Sequence, residues 1–99
     1  MKHFKVAMTR LGGVDLLLVP VDNMESRPDR EQQIIMDELQ NRASMAGLVG
    51  LVIPVWRDAG SANGMKFRAP DTLHPLLQAL NMDWVLSNLN KVVRWDGRR

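Results

Sequence analysis

Ninety-nine residues leave room for one domain with one core, and 45% hydrophobic with 24% charged residues is the balance of a globular chain rather than a disordered one. The absence of cysteine excludes disulfides and thiolate metal sites and fits a reducing, cytoplasmic setting. A formal net charge of +2 is too mild for a strongly basic nucleic-acid binder, and no apolar run is long enough to span a bilayer.

Phe4, Val6 and Met8 alternate with Lys5, Ala7 and Thr9, the period of a half-buried strand over 3–9. Lys2, Lys5 and Arg10 precede an apolar run from Val14, but Asp15 and Pro20 interrupt it and no small-residue cleavage pattern follows, so no signal peptide is expected. Gly12-Gly13 predicts a tight hairpin turn. The strand it opens, 14–21, is apolar on both parities through Leu16, Leu17, Leu18 and Val19, which predicts cover on both faces.

The next element is a helix over 27–46. Ser26 is placed to cap it, Pro28 suits a first turn, and Asp29 and Glu31 favour the positive end. Ile35, Leu39, Arg42, Ala43 and Ala46 share one stripe, and Gly47 is the expected stop. Residues 48–56 form a second doubly apolar strand, and Arg57 to Gly64 reads as a loop. Met65, Phe67 and Ala69 alternate with Lys66 and Arg68, a strand that can return as a hairpin. Leu73, Leu76, Leu77 and Leu80 then make one helical face, and Met82, Val85, Leu86 and Leu89 a second, with a break at Asn81. Lys91 to Trp95 fits either a short strand or a last helical turn.

Together these give one α+β domain over 1–99 in the ferredoxin-like β-α-β-β-α-(β) order, with an extra N-terminal strand antiparallel to 14–21. Strands 14–21 and 48–56 are too apolar to leave one sheet face in water. Either a second copy covers that face, making a homodimer, or the C-terminal helices do, making a three-layer α/β sandwich.

The functional signals are few. If 14–21 and 48–56 are parallel, their carboxyl ends gather Asp22, Asn23, Trp56, Arg57 and Asp58 at one edge with His3, where ligands sit in open α/β sheets, and put His74 at the other edge. Two carboxylates and an imidazole there could act as acid and base or bind a divalent cation, though Asp after a strand is ordinary turn chemistry. Asp71 and His74 lack a third metal ligand, no serine stands in a Gly-x-Ser-x-Gly context, and Gly60 to Gly64 is not followed by Lys-Ser or Lys-Thr. No catalytic residue, metal or cofactor is therefore assigned. Lys5, Lys66 and Arg68 could meet phosphates, but no stacking platform accompanies them, so nucleic acid is not the expected partner. Trp84 lies off the buried stripe of its helix and points to a partner surface. The sequence thus predicts a cytoplasmic, self-associating interaction domain, most simply non-enzymatic. The alternatives are a small enzyme or ligand-binding protein using Asp22, Trp56 and Asp58, and a weak nucleic-acid binder.

Overall fold

The computed structural model describes residues 2–22 and 24–95. Asn23 of the expected edge lies outside the described residues. Five strands form one mixed sheet: β1 (Lys2–Leu11), β2 (Val14–Pro20), β3 (Leu51–Arg57), β4 (Met65–Phe67) and β5 (Lys91–Trp95). Helix α1 (Asp29–Met45) joins β2 to β3, and a 3₁₀ turn (Asp71–Leu73), α2 (His74–Leu77) and α3 (Met82–Ser87) join β4 to β5.

Local chemistry fixes the strand pairs. Gly12 and Gly13 both take positive φ, the requirement of a two-residue hairpin whose twist matches its strands, and Leu11 faces Val14 across it. β2 and β3 are parallel neighbours around α1, with Leu18 opposite Ile53. Past β2, the chain order β-α-β-β-α-β is the expected one. In space the order is β4-β3-β2-β1-β5. The parallel pair is contiguous rather than split by a third strand, because β4 returns antiparallel on the outer side of β3. The N-terminal strand takes the place beside β2, and β5 pairs antiparallel with β1 one position further out.

Several boundaries shift for stated reasons. Helix α1 starts at Asp29, with Pro28 in the cap position and no side-chain capping bond, rather than at Arg27. A residue before proline is held out of the helical region, so Arg27 cannot begin a helix. At the other end, Leu48 N–H donates to Ala43 O and Gly47 N–H to Ser44 O, with Gly47 at φ 85°. That paired arrangement closes the helix and delays β3 to Leu51. Gly50 sits at φ 143°, and a Cβ there would meet the Asp15 carbonyl oxygen at 3.0 Å, so only glycine lets β3 start this close to β2. Residues 91–95 are strand, anchored by Asn90. Its side-chain amide accepts from Met8 N–H at 3.0 Å and donates to Met8 O at 3.2 Å.

The doubly apolar strands are covered on both faces within one chain. On one side Leu17, Val19 and Val52 pack with Ala43 and Leu39 of α1, joined by Val6 and Val93. On the other, Leu16, Leu18, Ile53 and Val55 pack with Leu73, Leu77, Met82 and Val85. The second layer expected from a partner copy is thus supplied over β2 and β3 by α2 and α3, in the three-layer arrangement. Trp84, expected to project toward a partner, packs against this second cluster, and its N–H is capped by Asn81 Oδ1 at 2.7 Å. Leu86, expected inward, is turned toward solvent.

Candidate functional site

Successive strand residues point to opposite faces. Along β3, Val52 faces α1 and Val55 faces α2 and α3, so Trp56 and Arg57 fall on opposite sides of the sheet. Their adjacency in sequence does not bring their side chains together. Trp56 shares the α1 face with Lys66, which lies opposite it in register. Its indole Nε1 is the one buried side-chain polar atom without a hydrogen-bond partner among the described residues. Arg57, on the other face, lies 3.7 Å from the Asp83 carboxylate at the start of α3, both well exposed. Asp58 turns back into its own loop: it accepts from Ser61 Oγ at 2.6 Å, and its N–H donates to Gly64 O. Asp22 is exposed just past β2. His3 borders a separate hollow beneath α3 with Lys5 and Pro20. The expected edge set is therefore divided between two faces and a self-contained loop.

The three bases that could have formed a phosphate-binding face are divided in the same way. Lys5 has the parity of Ala7 and faces α3, whereas Lys66 and Arg68 face α1 from the far edge. Lys66 bonds Glu25, and Arg68 bonds Asp29 and, at 2.9 Å, Gln32 Oε1. The Arg68 hydrogen bond and charge hold the Asp29 carboxyl below its ordinary range. The Glu25 hydrogen bond, with the charges of Asp58 and Glu25, pushes the Lys66 ammonium up. These groups strap the start of α1 to β4.

An open groove of about 420 Å³ lies instead along the outer side of β4. Met65 and Phe67 form its floor, His74 and Gln78 of the α2 segment one wall, and Ser61 to Asn63 the other. A second hollow, of about 460 Å³, shares Ala62, Asn63 and Gln78 and extends the groove toward Asn81 and Asp83. Asn63 ties the two walls: its Nδ2 donates to Leu80 O at 2.9 Å, and its carbonyl accepts from Met82 N–H. His74 stands edge-on to Phe67, ring centres 5.1 Å apart, and its Nε2 lies 3.0 Å from Ala69 O. A carbonyl oxygen only accepts, so in this contact Nε2 carries the hydrogen. His74, expected at the opposite edge, thus shares a groove with the 59–64 loop, because β4 and the 3₁₀ turn double the chain back.

Ser61 Oγ gives its hydrogen to Asp58, and no described imidazole hydrogen-bonds to it, so the relay that activates a serine nucleophile is not assembled. Among the described residues no three His, Asp or Glu side chains gather closely enough to hold a metal ion. Sequence reasoning did not single out Phe67, Gln78 or Asn63 as a group. The available signal was a three-residue strand between a loop rich in small residues and Pro70, followed by a short helix opening with His74. No helix among the described residues is long and apolar enough to cross a membrane. Comparisons with protein-family models, curated proteins and solved structures find no match to this chain, so function has to be read from geometry.

Proposed function

We propose that this chain is a non-enzymatic binding and interaction domain whose recognition site is the groove beside β4. The observation that carries this is an open groove whose apolar floor is the half-buried Phe67 beside the buried Met65, set between polar walls and sized within the usual range for ligand sites. Such a groove takes an apolar group and fixes it through Ser61, His74 or Gln78. The test is a chemical-shift titration of the ¹⁵N-labelled chain with N-acetyl-leucine amide and N-acetyl-phenylalanine amide, which stand in for an inserted apolar side chain. Shifts confined to 61–67 and 74–78 support the assignment. Shifts scattered over the surface, or none at millimolar probe, overturn it.

A homodimer is the second reading, and with α2 and α3 over β2 and β3 it rests on a different surface. Met45 is 73% exposed and Val49 69% exposed at the α1–β3 connection, next to Leu51. A dimer in sedimentation at micromolar concentration, dissolved by Val49→Asp, supports self-association there. A monomer at every concentration removes it.

A further inference from the structure

Most of the described bases are paired with a carboxylate. Arg10, Arg27, Arg42, Arg57, Lys66 and Arg68 each have a carboxylate within ion-pair distance. Lys5, Lys91 and Arg94, by contrast, have none among the described residues, and all three lie on the paired strands β1 and β5. Arg30, on α1, also has none among the described residues.

The same region has two further properties. No described strand pairs with the outer side of β5, so that side presents unpaired backbone N–H and C=O groups. In register, His3 faces Arg94 and Lys5 faces Val92, which sets cations and one apolar side chain on the α3 side of the edge. Leu86 and Leu89 reach only part of this surface. They border a hollow of about 310 Å³ with His3, Lys5 and Pro20. Val92 remains 43% and Leu86 39% exposed.

We infer that the β5 edge is a docking site for an acidic, extended segment of a partner protein, which adds to the sheet as a sixth strand. Its backbone would satisfy the open edge, its carboxylates would meet Arg94 on the α3 side and Lys91, which has the parity of Val93, on the α1 side, and one apolar side chain would lie against Val92 on the α3 side. A second copy of this chain is disfavoured at this edge because two basic β5 strands would oppose each other. A nucleic acid is disfavoured because Phe4, on this part of β1, has the parity of Val6 and packs with the α1-side cluster rather than standing out as a stacking platform beside Lys5 and Arg94. This site is on the opposite edge of the sheet from the β4 groove, so the two assignments stand or fall separately.

The experiment is fluorescence anisotropy with a labelled Glu-Glu-Val-Glu-Glu peptide, about as long as β5, whose alternation sets Val between two Glu on one face and two Glu on the other, added to the full chain near physiological salt. Micromolar binding is expected. Arg94→Glu and Lys91→Glu, both exposed and expected to leave the circular dichroism spectrum unchanged, should each weaken it at least tenfold. N-methylation of alternate peptide nitrogens in the probe should abolish binding, since it removes strand pairing and keeps the charge. The proposal is overturned if the acidic peptide does not bind, if the N-methylated probe or the same peptide with Lys in place of Glu binds equally well, or if oligothymidylate competes at equal concentration.

Discussion

The two faces of the sheet are covered by opposite means. Helix α1 has 17 residues and buries one of them, Ala43. The 3₁₀ turn, α2 and α3 are much shorter, yet Leu73, Leu77, Met82 and Val85 are all buried. The long helix carries a thin stripe of Ile35, Leu39 and Ala43 and leaves Ile34 60% exposed. Polar ties hold much of it. Its start is strapped to β4 through Arg68 and Lys66, and Gln40 reaches β3, donating to Gly50 O at 3.1 Å and accepting from Val52 N–H at 2.9 Å. The short pieces, unable to persist as isolated helices, are held by apolar burial. Length and regularity in a helix therefore say little about how much of the core it supplies.

The contrast can be broken most directly at Leu77, which is fully buried. Leu77→Ala should cost about 2–5 kcal/mol, whereas Leu39→Ala on half-buried α1 should cost about 1–2 kcal/mol. Urea unfolding followed by tryptophan fluorescence measures both. Equal costs would mean that α1 contributes as much core as the short helices. Gln40→Ala is the intermediate case, expected to cost about 1 kcal/mol by leaving two partly buried backbone groups of β3 unpaired. Its readout is faster amide exchange at Val52 with exchange in α3 unchanged.

The smallest effect is the pH dependence of the α1 strap. Asp29 is held below its ordinary range by Arg68, so its contribution is complete above about pH 4 and is lost as pH falls through the lowered value. Lys66 is pushed up by Glu25, so its contribution is complete below about pH 10 and is lost as pH rises through the raised value. Both pairs are exposed and screened by salt, which keeps the effect small. The difference in thermal midpoint between the parent chain and Asp29→Asn should be present at neutral pH and vanish near pH 2. A difference that persists in strong acid would show that something other than the ionised carboxylate holds the strap.

Features legible in the sequence were those whose cause is local. Gly12-Gly13 announced a hairpin, Gly47 ended a helix, and the break at Asn81 became the cap of α3. Features set by distant partners were not legible. Lys91 to Trp95 becomes a strand because β1, more than 80 positions earlier, offers an edge, and the anchoring Asn90–Met8 bonds span 82 positions. The choice between a partner copy and the C-terminal helices as cover for the second face was left open for a related reason: a leucine stripe over 73–80 does not itself say that Leu73 and Leu77 turn onto the sheet. At the site, Trp56, Arg57 and Asp58 drew attention as neighbours in sequence, but strand alternation sends two of them to opposite faces and the loop claims the third. The β4 groove joins Phe67 to His74 through a reversal at Pro70, which composition alone does not orient.

The place of β1 between β2 and β5 sets an order of events during synthesis. β1 and β2 emerge first and close a hairpin across two glycines, a microsecond event. One side of β1 then waits for β5, which is translated more than 70 residues after β2, an interval of roughly 4–15 s at ordinary elongation rates. For that interval the ribosome-bound chain carries an unsealed sheet margin with Phe4, Val6 and Met8 lacking their final neighbours. Nascent chains of this protein should therefore bind chaperones that hold extended apolar segments, and release should coincide with the arrival of Val93 rather than with completion of α1.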